Sequence, residues 1–135
     1  MYEKQKHIIN IIKEPAVRYR KAYEGISKSD FLAIVATTGM NLTAFSKLLP
    51  VSKRTLEKIK DEELISAPVS DRILEIAALY EYGKEVFGER EAFQAWLETD
   101  LLALAHKKPR DFMDNSSGLT MIKDLLGRIE HGVYS

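Results

Sequence analysis

The sequence predicts an all-α fold, and three observations carry that expectation. Apolar residues recur at three- and four-residue spacing along almost the whole chain, which gathers them on one face of a helix. No stretch alternates apolar and polar residues as a half-buried strand would. The few prolines and glycines fall between the helical stretches, where they act as punctuation. At 135 residues the chain is long enough for one domain, or for two very small ones. Hydrophobic residues make up 45% and charged residues 30%, which excludes a disordered chain. No apolar run approaches a membrane span, and "MYEKQKHIINIIKEP" lacks the apolar core and cleavage site of a signal peptide. Cysteine is absent, which removes disulfides and thiolate metal sites and fits a reducing cytoplasm.

The elements follow in order. A first helix is expected over residues 3–13, with Ile8, Ile9, Ile11 and Ile12, and Pro15 interrupts it or starts a second over 15–24. Gly25-Ile26-Ser27 is a break, after which Ser29 or Asp30 can cap a helix to about Thr38, with Phe31, Ile34 and Val35 inward. Gly39 ends it. Short helices are expected at Thr43–Leu49, carrying Phe45, Leu48 and Leu49, and from Ser52 to about Lys60, carrying Leu56 and Ile59. A linker, "DEELISAPVS", precedes a longer helix opened by Pro68 or Ser70 and running to about Phe87. Its inward face is Ile73, Ile76, Ala77, Tyr80, Gly83 and Phe87, and Gly88 closes it. Residues 90–97 form a short helix with Phe93, Trp96 and Leu97, residues 101–114 are irregular or a helical turn, and Asn115-Ser116-Ser117 caps a last helix over 118–131.

The net charge is zero but unevenly spread. Residues 1–30 hold seven Lys/Arg against four Asp/Glu, residues 31–60 five against one, and residues 61–135 eight against fifteen. A basic front and an acidic back suggest two faces with different partners, nucleic acid for one and protein for the other; solvated charge is the plainer alternative.

The stretch "LTAFSKLLPVSKRTLEKI" reads as a helix-turn-helix: Thr43 caps one short helix, Pro50-Val51-Ser52 makes the turn, and Ser52 caps the second. At its exposed start, Arg54 can fork onto a guanine edge. Lys53 and Lys58 can neutralise phosphates, while Ser52 and Thr55 can donate to phosphate oxygens. An ordinary helical hairpin with a solvated basic face has the same pattern. Five basic residues in positions 31–60 bind DNA weakly as a monomer, so a homodimer is expected, since paired half-sites need paired readers. The isoleucine-rich first helix either packs on its own core or swaps onto a second subunit.

The chain also resembles a bacterial family, the Xre/MbcA/ParS-type antitoxins, whose members join an Xre-type helix-turn-helix to a C-terminal toxin-binding domain. The resemblance lies in "LISAPVSDRILEIAALYEYGKEVFG", "AFQAWLETDLLALAHKKPRDFM" and "GLTMIKDLLGRIEHGVYS", with the helix-turn-helix ahead of them, and covers roughly residues 26–135. Its most specific elements are Ser70-Asp71-Arg72, Val86-Phe87-Gly88, Ala95-Trp96-Leu97 and the stretch Arg128 to Ser135. The chain departs from the family after Trp96-Leu97: "ETDLLALAHKKP" has neither the usual Pro-Asn pair nor the glycine-rich turn.

The resemblance implies an N-terminal extension (1–28), a DNA-binding region (29–66) and a toxin-binding domain (67–135). It implies a non-enzymatic antitoxin of a type II system that neutralises a RES-type, NAD-degrading toxin and represses its own operon. The implied partners are the cognate toxin and operator DNA, in a homodimer and a higher toxin–antitoxin complex, in the cytoplasm. The implied toxin-binding residues are Arg128, Glu130, His131, Gly132, Val133, Tyr134 and Ser135. Tyrosine suits a partner's pocket, offering a large area with few torsions to freeze. The alternative is that Val133 and Tyr134 fold back to complete a helix C-cap. A stand-alone transcriptional regulator, or a scaffold that has lost DNA binding, are the competing functions. No metal site or cofactor is expected: His7, His106 and His131 lie far apart, no phosphate-cradling glycine loop occurs, and Ser116-Ser117-Gly118 lacks the setting of a nucleophile.

Overall fold

Helical spacing carries through to the three-dimensional arrangement. The computed structural model describes residues 2–132, and among them every regular element is helical. The α-helices are α1 (Tyr2–Lys13), α2 (Pro15–Glu24), α3 (Lys28–Thr38), α4 (Leu42–Ser46), α5 (Lys53–Lys58), α6 (Ala67–Phe87), α7 (Arg90–Leu97) and α8 (Ser116–Glu130). Two 3-10 turns, Leu102–Leu104 and Pro109–Phe112, occupy the stretch expected to be irregular. The all-α expectation holds. The chain divides into two compact units, one through Ala78 and one from Leu79, so the division falls inside α6.

In the first unit, α1 buries Ile8, Ile11 and Ile12 and packs against α2 and α3. Each such side chain contributes about 1.5–3 kcal/mol when fully covered. Three of the four isoleucines thus pack within their own chain, while Ile9 stays exposed. Polar contacts fix the docking: Lys4 Nζ donates to Ser29 Oγ at 2.9 Å, and His7 Nε2 lies 3.2 Å from Asp30 Oδ2. Arg18 Nη1 donates to the Ile12 carbonyl at 2.9 Å, satisfying an open acceptor at the end of α1.

The cap of α3 is Ser27, whose hydroxyl accepts from Asp30 N, and not Ser29 or Asp30 as the sequence suggests. The reason is tertiary. Residues 26–29 run antiparallel to the acidic linker, with Ile65 N donating to Ile26 O at 2.8 Å, Lys28 N to Glu63 O at 3.1 Å and Ser29 N to Asp61 O at 2.9 Å. That pairing holds Ser27 extended, the conformation an N-cap needs. It also explains Gly25, which has φ +98° and lies so near that a β-carbon would sit 2.4 Å from the Ile65 carbonyl oxygen.

Phe31 of α3 meets Phe45 of α4 edge-on at 5.8 Å, and Ile34, Val35, Leu49 and Leu56 close the same core. The early part of α6 adds Val69, Ile73, Leu74, Ile76 and Ala77 to the buried set. Ser70 is fully buried and joins three segments: it accepts from Ile26 N at 3.0 Å and donates to Ile65 O at 3.1 Å. Arg72 Nη1 donates to Leu48 O at 3.2 Å, so two of the Ser70-Asp71-Arg72 residues brace the first unit.

In the second unit, Leu79 and Tyr80 of α6 are buried with Phe93 and Leu97 of α7, Met113, and Leu119, Ile122 and Leu126 of α8. Tyr80 meets Phe93 edge-on at 5.2 Å, and Trp96 stacks on Phe93 at 6.1 Å and leans on Phe87 at 5.6 Å. Asn115 caps α8, its side-chain oxygen accepting from Gly118 N at 2.8 Å.

Candidate functional sites

The residues predicted to meet DNA gather on α4, the following turn and α5. Two features differ from expectation. Asn41, not Thr43, caps α4, its side chain accepting from Ala44 N at 2.8 Å. Asparagine is the stronger cap, so the helix starts earlier and Thr43 lies within its first turn. Thr43 instead receives the Lys53 ammonium, Nζ to Oγ1 at 2.8 Å. Lys53 also lies 3.8 Å from Glu57, one turn along α5.

Ser52 is the cap of α5, accepting from Thr55 N at 3.0 Å, and the two hydroxyls bond each other at 2.8 Å. Ser52 and Thr55 therefore fix the helix start before they touch any ligand. Arg54 and Lys58 are exposed and make no hydrogen bond or ion pair among the described residues. They are the two predicted cations left to meet an anion without first giving up an internal partner.

A second surface lies at the end of α8. Arg128 and His131 line a shallow groove with Tyr82, Lys123, Asp124 and Gly127. Glu130 accepts from the Tyr82 hydroxyl at 3.0 Å, and His131 Nε2 lies 3.7 Å from Glu130 Oε1. Sequence reasoning missed Tyr82. It sits two residues past the inward Tyr80, off the apolar stripe, and nothing in the spacing marks it as the residue that holds the last turn of α8. Arg128, Glu130, His131 and Gly132 are all exposed. Val133, Tyr134 and Ser135 lie outside the described residues.

Two tyrosines titrate abnormally. Burial pushes the Tyr80 phenol up, against the pull of the Arg110 guanidinium, which Glu98 holds in an ion pair. Desolvation raises Tyr82 as well, with its bond to the Glu130 carboxylate acting in the same direction. A phenol whose folded value lies above the ordinary 10.0 favours folding fully below that pH. The contribution is lost as pH rises through the raised value. The denaturation midpoint of the second unit, followed by Trp96 fluorescence, is expected to fall above about pH 10. Tyr80→Phe should flatten that fall; an unchanged alkaline slope would show that Tyr80 does not carry it.

Among the described residues, no group of three or more His, Cys, Asp or Glu side chains could hold a metal ion. No helix among them is long and apolar enough to cross a membrane.

Comparison with known proteins places the second unit. Residues 83–132 match the family described as the antitoxin Xre/MbcA/ParS C-terminal toxin-binding domain. The chain is also similar to the "Antitoxin Xre" of Yersinia enterocolitica, 30% identical over 67 residues, which is 49% of this chain and 45% of that protein. It is 28% identical to the "Antitoxin Xre" of Photorhabdus laumondii over 71 residues, 52% of this chain and 48% of that one. The chain thus spans about half the length of the curated relatives it matches. The matched span 83–132 lies wholly within the second compact unit.

Proposed function

Proceeding from the Xre/MbcA/ParS-type toxin-binding domain in residues 83–132, we propose that the protein is the antitoxin of a type II toxin–antitoxin pair. The coincidence of that span with one compact helical unit carries the reading. The acidic second half covers a RES-type toxin that degrades NAD, and the segment from Arg128 to Ser135 enters or rims the toxin's active site. The groove at the end of α8 supports that placement, because Arg128 and His131 are exposed beside the point where the segment leaves the helix. The basic first half binds operator DNA through Arg54 and Lys58, with Lys53, Thr43, Ser52 and Thr55 around them, and a homodimer pairs two such surfaces for autorepression. Regions 1–28, 29–66 and 67–135 remain the proposed functional division, as extension, DNA reader and toxin binder.

The test is co-expression with the neighbouring open reading frame, comparing the full chain with one ending at His131. The full chain should restore growth and the shortened one should not, with both equally folded by circular dichroism. Rescue by both would move the inhibitory contact onto the helical surface. A neighbour without toxicity would overturn the antitoxin reading in favour of a stand-alone regulator.

A further inference from the structure

The second unit carries a loop whose shape is held at an energetic cost. Between Leu101 and Lys107 the chain closes on itself: Leu101 N donates to Lys107 O at 3.0 Å, His106 N to Leu101 O at 2.9 Å, and Lys107 N to Leu104 O at 3.1 Å. Leu104 is buried and anchors the loop from below. Two consecutive residues, Ala105 at φ +55° and His106 at φ +63°, adopt the left-handed conformation. Non-glycine residues visit that region singly and at a cost, so two in a row persist only where the surroundings impose them.

The tip that this closure presents is apolar. Leu102 is 78% exposed, and from Leu79 onward it is the sole large hydrophobic residue so exposed among the described residues. Asp100 and Lys107, both exposed, flank it with opposite charges. An apolar side chain on a rigid tip with a charged rim has the anatomy of an interface anchor. The rim excludes water, and the fixed backbone leaves little entropy to lose on binding.

We propose that the loop from Leu101 to Lys107 is a preformed docking element for the toxin, with Leu102 entering a small apolar pocket on it. The assignment rests on the antitoxin reading above, and the occupant is chosen because the loop lies inside the span 83–132 that matches the toxin-binding domain. It is separate from the α8 groove in sequence and gives the toxin a second point of attachment.

The test measures binding of the full chain to the purified product of the neighbouring reading frame. Leu102→Ser should weaken the complex about tenfold or more, mainly through faster dissociation, with an unchanged Tm. Leu102→Met should bind as the parent does. The double variant Ala105→Gly/His106→Gly should bind a few-fold more weakly without losing stability, since it frees the loop and keeps the anchor. Parental affinity for Leu102→Ser would overturn the proposal. A change in its self-association by light scattering, with toxin binding intact, would overturn it in favour of a contact between copies of this chain. Failure of the unmodified chain to bind would overturn the antitoxin reading itself.

Discussion

Gly118→Ala is expected to unfold the second unit. Gly118 lies in the first turn of α8, where its N–H is held by the Asn115 cap. A β-carbon there would sit 1.8 Å from the Phe112 carbonyl oxygen and 2.8 Å from its carbon. Those are backbone atoms at the end of the Pro109–Phe112 turn, with buried Met113 directly after them, so they cannot swing aside as a side-chain tip can. The cost should be roughly 3 kcal/mol or more, a large share of a small unit's stability. Trp96, the only tryptophan, reports on this unit alone through its stacking on Phe93. Its emission should shift to the red and its unfolding transition should broaden or vanish. Gly127→Ala is the control. It is also helical, its β-carbon would meet only the Tyr82 hydroxyl at 3.6 Å, and alanine there should be neutral or stabilising by up to about 1 kcal/mol. Equal behaviour of the two variants would refute the packing argument.

Arg54→Ala and Lys58→Ala should weaken operator binding in two distinguishable ways. If Arg54 reads a base edge, as proposed, its loss should cost about 5- to 150-fold and blur the preference at one position of the site. If Lys58 neutralises a phosphate, as proposed, its loss should weaken all sequences alike and reduce the slope of log affinity against log salt by about 1. Lys53→Ala should do less than either, because that ammonium is already engaged with Thr43 and Glu57. Fluorescence anisotropy on promoter fragments at several salt concentrations checks all three. If no variant moves either the affinity or the salt slope, α5 is not the DNA-facing helix.

What could be read from the sequence was whatever depends on near neighbours. The inward residues Phe31, Ile34 and Val35 of α3 and Ile73, Ile76, Ala77 and Tyr80 of α6 were legible because helical spacing marks them, whereas Val69, Leu74 and Leu79 are buried off that face because α6 is covered on more than one side. Ser52, Asn115 and Gly39 were legible as caps or stops because each stood next to a clear helical run. Ser27 was not, because three candidate residues lie within four positions and pairing with the distant segment 61–65 chose among them. Asn41 was passed over for Thr43 for the same kind of reason: both can cap, and only the start of α4 decides. On the candidate sites, the residue types were readable and their engagement was not. Nothing in "SKRTLEK" says that Lys53 turns back to Thr43 while Arg54 points away. Tyr82, Ala105 and His106 were silent because hydrogen bonds across helices and left-handed backbone leave no periodic trace.

The acidic stretch from Asp61 to Ser66 has the composition of a hinge, but its backbone is laced to residues 26–29 and it ends one turn before buried Ser70. A protease needs an extended, unpaired run of chain in its cleft, and this stretch offers none without first melting the start of α3. Anyone isolating the first unit for study should therefore cut within α6 after Ala78, since a piece ending at Ser66 would lose the serine that bridges its two edges and the apolar face that closes its core.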